Sequence, residues 1–183
     1  MRLLALADEA PYVSVAALFD LHRPDVVVTL GDLEPGLLDP LGGRGCPVLG
    51  VYGNHDDGHY LEAANVTDLH LASAIVDGVR FAGLQGSPRY TPGAALQYSP
   101  RQADKLARRI PPSDVLVTHA PPRGVHDDPD DRAHIGFDGL LAYLERERPR
   151  VHLHGHTPAP ARPDRRVGAT TVIHVVGHRV LDL

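Results

Sequence analysis

The sequence predicts an α/β fold that opens with parallel strands and continues through an antiparallel element. Three short apolar runs, at residues 3–7, 25–30 and 48–52, alternate with helix and loop signals. That order gives parallel strands joined by right-handed crossovers. Residues 69–84 instead alternate in polarity around Asp77-Gly78, the dipeptide of a tight hairpin. The parallel runs also end in cation-binding side chains, at the sheet edge where open α/β folds place their ligands.

Composition narrows the class. A chain of 183 residues with 43% hydrophobic and 22% charged residues suits one domain, 1–183, with one substantial core. A net charge of −5 provides no overall positive field for nucleic acid or an anionic membrane. The start at residues 3–7 stops at Asp8, too short for a signal peptide or a membrane span. A single cysteine, Cys46, rules out an internal disulfide and fits a reducing cytoplasm. Twelve histidines are many for this length, and histidine is the commonest metal ligand.

The elements follow in order. The first strand ends in Asp8-Glu9. Pro11 opens a helix with Val13, Ala16, Ala17 and Leu21 on one face, and Pro24 stops it. The second strand ends in Gly31-Asp32. Residues 42–45 form a loop, and the third strand runs into Gly53-Asn54-His55-Asp56. Gly53 is expected to permit a sharp turn there. The hairpin around Asp77-Gly78 begins a second sheet. Residues 85–98 read as a Gly- and Pro-rich loop whose Arg89 and Tyr90 could face a substrate. Ser99-Pro100-Arg101-Gln102 is a capping box with proline at the first helical position, and that helix runs to about Ile110. A buried strand at 114–118 ends in His119. The loop after it, 120–136, carries Arg123, His126, Asp127, Asp128 and His134. A helix with Phe137, Leu140, Leu141 and Leu144 on one face ends at Pro149. The strand at 151–154 runs into Gly155-His156. Residues 158–166 read as loop, and 170–175 with 179–183 as a closing hairpin.

Five strand ends therefore carry a metal-capable residue: Asp8, Asp32, Asn54, His119 and His156. Oxygen and imidazole donors without thiolate suit Mn²⁺, Fe or Zn²⁺ in a catalytic site better than a structural zinc. This order of motifs (Asp8, Gly31-Asp32, Gly53-Asn54-His55-Asp56, His119, Gly155-His156-Thr157) resembles the calcineurin-like metallophosphoesterase superfamily. The segment 118–124 is similar to its small, class-III phosphodiesterase-like members.

The resemblance implies a four-layer α/β/β/α sandwich of two mixed sheets flanked by helices. It implies one or two divalent ions, Mn²⁺ foremost, and a phosphate ester substrate, with nucleic acid only as a substrate. Asp32 would bridge the ions, Asn54, His119 and His156 would complete the second, and Asp8 would serve the first. His55 would contact the phosphate and protonate the leaving oxygen, with Asp56 orienting its ring. The pattern breaks twice. Ala10 and Pro158 stand where the superfamily places histidines, and both losses fall on the first metal. Glu9 and His154 are candidate substitutes. A phosphodiesterase is the leading expectation, and a scaffold or phosphate-binding protein on the same fold is the alternative.

Overall fold

The computed structural model describes residues 1–34 and 36–183. Its strands form two main sheets. In the first, β1 (Arg2–Ala7), β2 (Val26–Thr29), β3 (Val48–Gly50) and β4 (Thr67–Asp68) pair in parallel, and β13 (Gly177–Asp182) closes the far edge antiparallel to β1. In the second, β6 (Val79–Leu84), β9 (Val115–Thr118), β10 (Val151–His154) and β12 (Thr170–His174) are parallel. Antiparallel β5 (Ser73–Val76) and β11 (Asp164–Val167) flank them, and β7 (Ser87–Pro88) with β8 (Gln97–Tyr98) forms a separate two-stranded parallel pair. The hairpin at Asp77-Gly78 lies where the sequence places it, between β5 and β6.

Strand alternation sorts the core into layers. Leu3, Ala5, Ala7, Val26 and Val28 face inward and meet Phe81, Val115, Val117 and Leu153 of the opposite sheet. Leu4, Leu6 and Val27 face outward onto Val15 and Leu18 of α1 (Val15–His22). On the other side Leu116 and Val172 meet Ala103 and Ala107 of α3 (Pro100–Ala107), with Leu140 and Tyr143 of α4 (Asp138–Glu147). The result is the four-layer α/β/β/α sandwich. The central strands read as unbroken apolar runs because both their faces are covered.

Several boundaries depart from the sequence reading. α1 begins at Val15, where the Ser14 hydroxyl accepts the Ala17 N–H at 3.2 Å; a serine cap outcompetes Pro11. The capping box at Ser99 and Gln102 forms, but α3 stops at Ala107 rather than Ile110. A short α2 (Tyr60–Ala63) and β4 were not anticipated. Residues 158–166, expected as loop, include most of β11, which makes a hairpin with β12 around Gly168. The expected closing hairpin does not form. β12 stays in the second sheet while β13 crosses to β1 in the first. Two alternating runs around a glycine fit either arrangement, and the sandwich wins because β1 needs a partner on its open edge.

Gly53 is required for a reason other than the one expected. Its φ is not positive. A Cβ at this position would stand 2.0 Å from the Asp32 Oδ1 and 2.6 Å from the Asp32 N–H nitrogen. We predict that Gly53→Ala destabilises the protein by about 1–3 kcal/mol, the usual cost of overpacking, read as a lowered urea midpoint at unchanged m-value. A midpoint within error of the parent would show that the Asp32 turn yields freely.

Candidate metal centre

The parallel strands of both sheets end at one edge, and the turns there are tightly wound. Asp8, Asp32 and His156 all have positive φ, at 60°, 53° and 69°. Non-glycine residues in this region are uncommon and cluster at functional sites. Each turn is fastened to another strand's turn. The Asp8 carboxylate accepts the His156 N–H, at 3.2 and 3.0 Å to its two oxygens. Asp32 Oδ1 accepts the His55 N–H at 2.8 Å. Asp56 Oδ2 accepts the N–H groups of Gly53 and Asp32, at 2.6 and 3.0 Å.

Within this frame three donors converge. One ligand atom each from Asp32, His119 and His156 lies within 4.8 Å of the others. His119 is fully buried, and its Nδ1–H donates to the Leu30 carbonyl at 2.8 Å. Its Nε2 faces Asn54 Oδ1 at 3.0 Å and Asp32 Oδ2 at 3.3 Å. Asn54 presents that oxygen because its Nδ2 donates to the Tyr90 hydroxyl at 2.9 Å. His156 donates Nε2–H to the Ala133 carbonyl at 2.8 Å. In the neutral ring the lone pair is then on Nδ1. Asp8 lies slightly apart, with Oδ1 4.0 Å from His119 Nδ1.

The electrostatics suit a cation. Burial opposes charge on His119, but the facing Asp32 and Asp8 carboxylates outweigh it and raise its pKa. Burial would raise Asp32 too, yet His119 holds it below the usual carboxylate range. Burial pushes Asp8 up to about 6 and His156 down to about 3. A carboxylate, an amide oxygen and two imidazoles around one point match the donor set of a catalytic divalent ion. The residues present fit such an ion.

His55 is exposed, with Nε2 3.4 Å from the Tyr90 hydroxyl. Asp56 does not reach its ring. Both its hydrogen bonds go to backbone, so it braces the Asp32 turn instead of orienting the imidazole. An open cleft of ≈ 680 Å³ is lined by Asp8, Glu9, Asp32, His55, His134 and His156, among others. Glu9 shares it with Asp8 because β1 ends at Ala7, and strand alternation no longer separates them. His154 lies elsewhere. It points to the outer face of the second sheet, where Nε2 meets His126 Nδ1 at 2.9 Å. β10 ends at His154, so the parity linking it to His156 is broken.

Tyr90, which the sequence offered as able to face a substrate, and His134, named there only as a loop residue, complete the surroundings of the site. Tyr90 is held by Gln97, whose buried Oε1 accepts the N–H groups of Tyr90 and Thr91 at 3.1 and 2.9 Å.

Acid should loosen this structure when no metal is bound. His152 and His156 have folded pKa values of about 3 against 6.5 unfolded. Between those values the unfolded chain binds more protons, so stability falls as the pH is lowered. From pH 6.5 to 5 each costs about 2 kcal/mol, while Asp8, with its raised pKa, returns about 1 kcal/mol. Thermal melts in chelator should therefore show a lower Tm at pH 5 than at pH 7. An equal or higher Tm at pH 5 would contradict the buried neutral imidazoles.

A profile of the family described as calcineurin-like phosphoesterase matches residues 1–160. The chain is 34% identical over 105 residues to the UPF0046 protein K07C11.7 of Caenorhabditis elegans, covering 55% of this chain and 34% of that protein. The chain thus matches about a third of that relative's length. The fold resembles a phosphopantetheinyl hydrolase from Mycobacterium tuberculosis, with TM-score 0.62 and 14% identity over 95% of this chain and 89% of that one. It also resembles an archaeal phosphodiesterase, with TM-score 0.55 and 14% identity over 100% and 93% of the two chains. With the profile spanning most of its length, the chain belongs to the calcineurin-like phosphoesterase family.

Proposed function

We propose that this protein is a metal-dependent phosphoesterase that acts on phosphodiesters. The observation that carries this reading is the convergence of Asp32, Asn54 Oδ1, His119 and His156 at the edge of an open cleft. Those four would hold a divalent ion, Mn²⁺ before Fe or Zn²⁺, which when bound would polarise a phosphoryl oxygen and lower the pKa of water.

The chain supplies the rest. His119 and His156 each donate one ring N–H to a backbone carbonyl, which fixes ring orientation before any ligand arrives. Asp8 and Asp32 hold negative charge beneath the cleft and favour a cation there. His55, in the same cleft, protonates the leaving oxygen. The Tyr90 hydroxyl sits between Asn54 and His55 and fixes where the imidazole stands. Asp56 contributes by locking the Gly53 and Asp32 backbone.

The diester preference has its own support. A second cavity, ≈ 160 Å³, is lined by Arg89, Tyr98, Arg123, Arg132 and Phe137, among others. Arg89 precedes Tyr90 and Arg132 precedes Ala133, so each wall lies about 3.8 Å along the chain from a residue touching the metal donors. A cavity this small, below the roughly 300–1,000 Å³ of whole-ligand sites, accepts one substituent of a larger ester. The alternative, a non-catalytic binding protein on this fold, is motivated by Ala10 and Pro158.

His55→Ala tests the enzyme reading. It should lower kcat on bis(p-nitrophenyl) phosphate with Mn²⁺ by about 10²–10⁴-fold, the range of a positioned general acid. Mn²⁺ affinity should be unchanged, since His55 is not among the donors. Unaltered turnover would remove His55 from the mechanism. Absence of Mn²⁺-dependent turnover in the parent would favour the binding protein.

A further inference from the structure

The net charge of −5 conceals one strongly basic face. Ala103 and Ala107 bury one side of α3 against the second sheet. Arg101, Lys105, Arg108 and Arg109 are all exposed along the same stretch, and Asp104 is the only carboxylate of the helix. The arginines in ion pairs among the described residues are Arg2, Arg44, Arg123, Arg146 and Arg179, so none of these four cations has a paired carboxylate. Arg101 and Lys105 stand four residues apart, Lys105 and Arg108 three. Like charges at those spacings repel along a helix. An anionic partner relieves that repulsion.

The basic helix adjoins the small cavity beside the metal centre. Pro100, Ala103 and Asp104 of α3 form one wall of that ≈ 160 Å³ cavity, and Arg89, Arg123 and Arg132 stand on its other walls. Tyr98 and Phe137 also line it, their ring centroids 6.5 Å apart. A cavity of about 150 Å³ holds benzene, so one aromatic ring fits here. Arg89 and Arg132 each precede a residue that touches a metal donor. Tyr90 accepts the Asn54 Nδ2–H, and the Ala133 carbonyl accepts Nε2–H of His156. Cations therefore run from the metal centre, past the cavity, to the outer side of α3.

We propose that this face and the cavity bind single-stranded nucleic acid, with backbone phosphates on Arg101, Lys105 and Arg108 and one base in the cavity. The inference rests on the phosphoesterase reading above, because it names the diester that reaches the cleft. A basic track combined with aromatic side chains is the recurrent means of holding an unpaired strand. A duplex keeps its bases stacked inside and offers none to the cavity. A membrane surface fits less well. The exposed residues of α3 are Pro100, Arg101, Gln102 and Lys105, with no large apolar side chain to enter a bilayer. Hydrolysis adds water across one P–O bond of the strand and leaves a phosphate monoester and a hydroxyl.

Fluorescence anisotropy of a labelled oligothymidylate of about twelve nucleotides, with chelator present, reads binding without turnover. The parent should bind it, and more weakly as salt rises. Arg101→Gln, Lys105→Gln and Arg108→Gln combined should weaken binding at least about tenfold and flatten log affinity against log salt by about 2, at about 0.7 per phosphate contact. Matching circular dichroism melts would show that the variant folds. Affinity within error of the parent in the triple variant would overturn the proposal, as would equal binding of the annealed duplex. Retention on phosphatidylserine vesicles without oligonucleotide binding would assign the face to a membrane and overturn it too. Mn²⁺-dependent turnover of bis(p-nitrophenyl) phosphate, read separately, distinguishes the two failures. An active parent that ignores the strand defeats this inference alone, and an inactive parent that binds it defeats the phosphoesterase reading while the binding site stands.

Discussion

The site depends on carboxylates that lie across the backbone of neighbouring turns. Asp8 accepts the His156 N–H, Asp32 accepts the His55 N–H, and Asp56 accepts those of Gly53 and Asp32. Glycine makes that closeness possible. A Cβ at Gly155 would stand 2.5 Å from Asp8 Oδ2, much as one at Gly53 would collide with Asp32. The Asp8–His156 bond spans the sandwich. Asp8 ends a strand of the first sheet, and His156 follows a strand of the second. Donor placement is therefore set by the packing of the two sheets, whose inner faces meet through Leu3, Ala5, Val28, Val117 and Leu153. Rigid elements hold the donors, and preorganisation of this kind lowers the cost of binding a ligand.

The histidines divide into two populations with different physics. His119 and His156 each donate one ring N–H to a backbone carbonyl, and His119 turns its other nitrogen toward the Asn54 and Asp32 oxygens. His152, His154 and His174 project from the outer face of the second sheet beneath His126. Their rings pack at centroid distances of 5.3–5.8 Å. Burial keeps His152 and His154 neutral. His152 Nε2 meets the Thr118 hydroxyl at 2.7 Å, while its Nδ1 has no partner among the described residues. The surplus of histidine is thus partly a packing choice, and abundance alone was a poor guide to ligation.

The parallel strands, the hairpin at Asp77-Gly78 and the capping box at Ser99 were legible because each has a local cause. The convergence of Asp32, His119 and His156 was legible through topology, since parallel strands must end at one edge. What escaped depended on non-local competition. The partner of β13 could not be read from its own residues, because the open edge of β1 decided it. Asp56 was expected to orient His55, but its carboxylate accepts the backbone N–H groups of Gly53 and Asp32. His134 sits on a loop whose course is set by Asp131, and no periodicity marks such a contact.

The central claim is that this edge holds a divalent cation among Asp32, Asn54, His119 and His156. Anomalous diffraction from a crystal soaked in Mn²⁺ tests it most directly. The account predicts a strong peak coordinated by Asp32, Asn54 Oδ1, His119 Nε2 and His156 Nδ1. Density at that point with no anomalous signal, or a peak coordinated by other residues alone, would contradict it.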